Sequence, residues 1–149
     1  MTMTRIPKDF REFLALLNSK GVKYLVVGGY AVGYYGYPRP TGDLDIWILI
    51  SEENAVKTMS ALQDFGFNTP DLSEDLFLKE RNMIRLGLPP VRIEILTSAT
   101  GVSFEECYRR KVADTVDDVE ISFISLDDLK TNKKAAGRHK DLGDCENLP

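Results

Sequence analysis

The sequence predicts an α+β domain, α/β-like in its alternation: a mixed β-sheet flanked by helices, with further helices at the C-terminal end. Three observations predict it. Runs with helical apolar spacing alternate with short β-prone apolar runs. The 149 residues suit a single domain over residues 1–149, and a chain of this size buries roughly 70% of its unfolded surface. Hydrophobic residues make up 43% and charged residues 28%, a balance that builds a packed core rather than a disordered chain.

Pro7 and Asp9 open a run with Phe10, Phe13, Leu14 and Leu17 at helical spacing, and Gly21 ends it. Tyr24–Val27 reads as a short buried strand broken by Gly28-Gly29. Residues 30–35 read as a short helix, followed by a loop rich in proline and glycine up to Gly42. Leu44–Ile50 is strongly β-prone and reads as the central strand. Glu52–Phe65 reads as a helix with Ala55, Met59 and Leu62 inward, closed at Gly66. Leu76–Lys79 and Met83–Leu86 read as strands, Pro89-Pro90 as a turn, and Val91–Leu96 as another strand. Ser103–Arg110 reads as a helix, Val119–Ile124 as a strand, and Leu126–Ala136 and Lys140–Leu148 as helices.

Composition excludes several classes. The formal net charge is −4, which argues against a protein built to grip nucleic acid non-specifically. No stretch is long and apolar enough for a membrane span, so no membrane association is expected. Met1–Phe10 lacks the pattern of a secretory signal. Cys107 and Cys145, the two cysteines, read as reduced thiols in a cytoplasmic protein. One histidine, His139, excludes a two-histidine metal site, and no Gly-x-Ser-x-Gly elbow supports a serine triad.

The informative segment is Asp43-Leu44-Asp45-Ile46-Trp47-Ile48. Strand side chains alternate, so Asp43, Asp45 and Trp47 share one face, with Cα atoms of successive members roughly 7 Å apart. Leu44, Ile46 and Ile48 take the other, apolar face. Two carboxylates at that separation repel, and a divalent cation such as magnesium resolves the repulsion. Val91–Leu96 repeats the pattern: Val91, Ile93 and Ile95 point to the core, while Arg92 and Glu94 project oppositely. If this strand lies beside the first, Glu94 becomes a third carboxylate. The alternatives are a solvent-facing acidic pair for Asp43 and Asp45, and a surface charge paired with Arg92 for Glu94. Gly28-Gly29 suits close backbone approach to a phosphate, and thirteen residues separate Gly29 from Asp43.

With these residues together, the sequence resembles the nucleotidyltransferase superfamily that includes DNA polymerase beta. The superfamily pattern is a Gly-Gly or Gly-Ser pair, a gap of some ten residues, Asp-apolar-Asp-apolar, and a third acid on a later strand. Gly28-Gly29, Asp43-Leu44-Asp45-Ile46 and Glu94 follow it in order. The chain is most similar to small stand-alone members, including abortive-infection-type toxins. Arg39, Thr41, Asp43 and Asp45 match their Arg-x-Thr-x-Asp-x-Asp, and Ala136-Gly137-Arg138-His139-Lys140-Asp141-Leu142 matches a C-terminal stretch. The resemblance runs from Tyr24 to Leu148. One departure is Glu94, where relatives more often carry Asp.

The resemblance implies the nucleotidyltransferase fold and a metal-dependent transfer of a nucleoside monophosphate from a nucleoside triphosphate to an acceptor hydroxyl, releasing pyrophosphate. Asp43, Asp45 and Glu94 would hold Mg2+ or Mn2+, Glu94 also helping to activate the acceptor. Gly28 and Gly29 would cradle the triphosphate, with Arg39, Thr41 and Lys133 as further nucleotide contacts. Lys133, Arg138 and Lys140 lie on a basic C-terminal stretch that either neutralises phosphates or is a solvated helix. Tyr30, Tyr34, Tyr35 and Tyr37 either pack the short helix or stack a base. The acceptor is left open between protein, RNA and small molecule. A partner protein or homo-oligomer could supply acceptor choice. The alternative reading is a binding module of the same fold, or a toxin–antitoxin component, with weak or no catalysis.

Overall fold

The computed structural model describes residues 6–38 and 42–149; Arg39 and Thr41 lie outside them. The elements run α1 (Lys8–Lys20), β1 (Tyr24–Val27), α2 (Gly28–Tyr34), β2 (Asp43–Ile48), α3 (Glu52–Phe65), β3 (Met83–Leu88), β4 (Val91–Leu96), α4 (Phe104–Arg109), β5 (Val112–Val116), β6 (Val119–Phe123), α5 (Leu126–Ala136) and α6 (His139–Asn147). The strands form one mixed sheet in the order β3-β4-β2-β1-β6-β5. β1 pairs antiparallel with β2 and parallel with β6, and β2 pairs parallel with β4.

Strand alternation divides the core in two. On one face Val26, Leu44, Ile46, Ile93 and Ile95 pack against Phe13, Leu14 and Leu17 of α1 and Ala55 and Leu62 of α3. On the other, Leu25, Val27 and Trp47 meet Cys107 of α4, Leu129 of α5 and Leu148. The helices have local causes. The Ser51 hydroxyl accepts from the Asn54 amide to cap α3, and Ser125 accepts from the Asp128 amide to cap α5. Gly66 and Gly137 end these helices in the left-handed region.

Two expectations need correction. Residues 76–79 are not a strand; Glu74–Phe77 is a 3-10 turn that drives Phe77, fully buried, into the α1–α3 core. Its apolar residues fill a gap rather than pair with a neighbour. β5 is an additional strand at the sheet edge, joined to β6 through Asp117 and Asp118, both left-handed. Exposed on much of its length, it carries no apolar run to announce it. Smaller shifts occur at ends: α2 starts at Gly28, and β2 spans Asp43–Ile48. Among the described residues no helix is long and apolar enough to cross a membrane. Both cysteines are free thiols.

Candidate active site

The parallel pairing of β2 with β4 places Asp43 opposite Arg92 and Asp45 opposite Glu94. The antiparallel pairing of β4 with β3 adds Arg85 opposite Glu94. One row across the sheet therefore reads Asp45, Glu94, Arg85, and the next carries Asp43 and Arg92. The three carboxylates expected to converge do lie on adjacent strands and the same face.

Their charges are met differently. Arg92 donates to Asp43 with both ends of its fork, Nε to Oδ1 at 2.8 Å and Nη2 to Oδ2 at 3.1 Å. That pairing holds the Asp43 carboxyl below its ordinary range. Arg85 donates from Nε to Glu94 Oε1 at 2.9 Å, and its Nη2 lies 2.8 Å from the same oxygen. Asp45 has no such partner, and its Oδ1 is buried without a hydrogen bond. Burial, then the neighbouring Glu94 and Asp43 charges, push the Asp45 carboxyl up to about 7.

The turn from β1 into α2 closes the site from the other side. Val27 is the register partner of Asp45. Gly28 follows with φ +68, and a Cβ there would lie 2.0 Å from Asp45 Oδ2. Only glycine lets this backbone sit against the carboxylate. Two adjoining cavities meet at the Asp45–Glu94 pair. One, of about 250 Å³, reaches Gly28, Ser98, Asn132 and Lys133. The other, of about 450 Å³, reaches Gly42, Asp43, Arg85 and Arg92. Gly29, Arg138 and Lys140 line both.

The C-terminal helices deliver Arg138 and Lys140 through a buried charge cluster rather than through a solvated face. Lys133 is 4% exposed, and its ammonium meets Asp141 Oδ1 at 3.2 Å and Asp144 Oδ2 at 3.1 Å. Arg138 is the N-cap of α6: its backbone N–H donates to Asp141 Oδ2 at 3.3 Å, and its Nε donates to the same oxygen at 2.6 Å. Lys133 thus lines the cavity with its charge already paired. Burial alone would raise the Asp141 carboxyl, but Arg138 and Lys133 outweigh it and lower it.

Other aromatic candidates are absorbed by packing. Tyr34 stacks on Phe123 at 4.0 Å, and Tyr30 meets Phe10 edge-on at 5.7 Å. The Tyr35 hydroxyl donates to the Ile124 carbonyl. Trp47 continues the acidic face of β2 into the second core and meets Phe104 edge-on at 5.2 Å. The sequence reading did not single out Arg85, nor the Arg92–Asp43 pair. The available signal was alternation: Met83, Arg85 and Gly87 oppose Ile84 and Leu86 on β3.

Among the described residues no group of three or more His, Cys, Asp or Glu side chains is gathered as metal ligands are. Asp43 and Glu94 instead each accept from an arginine. The donor chemistry nevertheless fits a hard divalent cation: carboxylate oxygens, one of them buried and unpartnered, against a glycine backbone.

No family model and no curated protein matches the sequence. Solved structures are similar in fold. A candidate nucleotidyltransferase from Thermotoga maritima superposes with a TM-score of 0.58 at 17% identity, over 92% of this chain and 84% of that one. An antigenic nucleotidyltransferase-like protein from Paracoccidioides brasiliensis gives a TM-score of 0.54 at 17% identity, over 95% of this chain and 76% of that one. The chain has a nucleotidyltransferase-like fold.

Proposed function

We propose that the protein is a nucleotidyltransferase, transferring a nucleoside monophosphate from a nucleoside triphosphate to an acceptor hydroxyl. The observation that carries this reading is the cross-strand register of Asp45 with Glu94, beside Asp43 and against the Gly28 turn, in this fold. Asp45, Asp43 and Glu94 would hold Mg2+ or Mn2+. Such a cation supplies charge neutralisation at the phosphates and orients the reacting oxygens. The acceptor oxygen bonds to the α-phosphorus, the bond to the bridging oxygen of the β-phosphate breaks, and pyrophosphate leaves with that electron pair. Glu94 receives the hydroxyl proton.

The chain's own cations have a place in this. Arg138 and Lys140 face both cavities, where they balance polyphosphate charge. Gly28 and Gly29 leave room for a phosphate beside the backbone. Arg39 and Thr41 would add the nucleotide contacts that the family resemblance implies. Lys133 acts through Asp141, holding the α5–α6 junction that presents Arg138. The acceptor class stays open between protein, RNA and small molecule, and a partner protein or second copy would supply its selection. For RNA, a basic patch including Lys133 is unavailable, because that side chain is buried.

Incubation with Mg2+ and each labelled nucleoside triphosphate, with candidate acceptors, tests the reading. Pyrophosphate release that is lost in Asp43→Ala/Asp45→Ala supports it. Failure of all four nucleotides either to turn over or to raise thermal stability overturns it.

One observation favours a second reading, a binding module or toxin–antitoxin component with weak or no catalysis. Asp43 and Glu94 already have arginine partners. A thermal shift with neither metal nor nucleotide, alongside a stable complex with another protein, would select it.

A further inference from the structure

Two arginines, Arg85 on the edge strand β3 and Arg92 on β4 beside it, hold two of the three carboxylates, and the third is left with an unpartnered oxygen. The arrangement follows from register. Arg92 is the Cα partner of Asp43, and Arg85 of Glu94, so each guanidinium reaches sideways along the sheet to a neighbouring strand. Both oxygens of Asp43 accept from Arg92. Both Arg85 contacts fall on the single oxygen Oε1 of Glu94.

We propose that Arg92 and Arg85 occupy the place of the divalent cation in the cation-free protein, and that a cation binds by displacing their guanidiniums from Asp43 and Glu94. The proposal rests on the reading of these carboxylates as a cation site. Three carboxylates face one another across two neighbouring strands, β2 and β4, and without a counter-charge their repulsion would open the site. Two guanidiniums reduce the local formal charge of the trio from −3 to −1. That residual charge sits on Asp45, whose Oδ1 is the one orphaned oxygen of the group. Asp45 is then the first ligand, and Asp43 and Glu94 join as their arginines leave.

Structural stabilisation alone is a weak account of the pairs. The side chains of Arg85 and Arg92 are 50% and 31% exposed, and pairs at such exposure add little to folding stability. Their position, one on each acid that flanks Asp45, is what the displacement explains. Released, both guanidiniums remain on the wall of the 450 Å³ cavity, where an anionic substrate group would meet them.

The test is Mn2+ binding to the nucleotide-free protein, followed by calorimetry and by water-proton relaxation. Wild type, Arg92→Gln, Arg85→Gln, Arg92→Lys and Asp45→Asn are compared, each checked by circular dichroism for retained fold. Arg92→Gln and Arg85→Gln should each bind Mn2+ about threefold more tightly than wild type, the equivalent of one lost competing ion pair of about 0.7 kcal/mol. Arg92→Lys keeps the charge but loses the two-pronged fork, so it should also bind more tightly than wild type, by a smaller factor. That variant separates displacement from simple repulsion of a cation by a nearby positive charge.

Unchanged or weaker Mn2+ binding in both glutamine variants, with wild-type binding that Asp45→Asn abolishes, overturns the displacement and leaves the cation site standing. Tighter binding in Arg92→Gln with wild-type affinity in Arg92→Lys also overturns it, in favour of repulsion. Absence of Mn2+ binding in wild type and every variant overturns the cation site itself, and the displacement with it.

Discussion

The Asp45 carboxylate occupies the space that a Cβ on Gly28 would need, with Oδ2 2.0 Å from that position. Gly28→Ala must therefore move the acid or the turn, and it must also hold alanine at φ +68. The expected loss is at least about 2 kcal/mol in urea unfolding. Asp45→Ala in the same chain should restore part of it, because the two residues share that space.

Asp45 also carries a cost of its own. Its carboxylate is buried beside two others with one oxygen unpartnered. Asp45→Asn should raise the stability of the cation-free protein at pH 8, on the order of 1–2 kcal/mol, while nucleotidyl transfer is lost. Thermal unfolding in chelator, paired with the transfer assay, reads both outcomes.

Lys133 answers two buried acids, Asp141 at 1% and Asp144 at 3% exposure. Lys133→Met keeps the side-chain volume and removes the charge. The expected destabilisation is about 3 kcal/mol, the low end for breaking a buried ion pair, because Asp141 keeps Arg138. Denaturant unfolding measures it.

A pH dependence follows from Asp128. Burial would raise its carboxyl, but Arg110, at 3.0 and 2.9 Å, and the Ser125 hydroxyl, at 2.9 Å, outweigh burial and lower it. The folded value therefore lies below the unfolded value of about 4. The stability this adds is fully present above pH 4 and is lost as pH falls through the folded value. Asp128→Asn should be less stable than wild type at pH 7 by about 1 kcal/mol, and the two should converge toward pH 2. Urea midpoints across that range check the sign.

Local patterning carried much of the fold. The helix over Leu126–Ala136 is legible because Ser125 caps it and Gly137 stops it, both within a few residues of the chain they act on. The turn at Glu74–Phe77 is less legible, because its apolar residues answer to the core beside α3 rather than to a strand neighbour. β5 is hidden for the opposite reason: an edge strand half in solvent needs no apolar signature. The lysine of the C-terminal stretch shows the limit for charge. Its helical spacing to Asp141 and Asp144 is written in the sequence, but a solvated face and a buried triad share that spacing.

The sequence by itself determined that Asp43 and Asp45 share a face opposite Leu44 and Ile46, because side-chain alternation is a property of one strand. It likewise determined that Gly28-Gly29 would break β1. Only the tertiary structure decided that β4 lies parallel to β2 with Glu94 opposite Asp45, that Arg92 reaches Asp43 and Arg85 reaches Glu94, and that Asp45 presses against Gly28. Those relations join residues up to 49 positions apart, as from Asp45 to Glu94. Register between strands is set by the packing of both sheet faces together, which no single segment specifies.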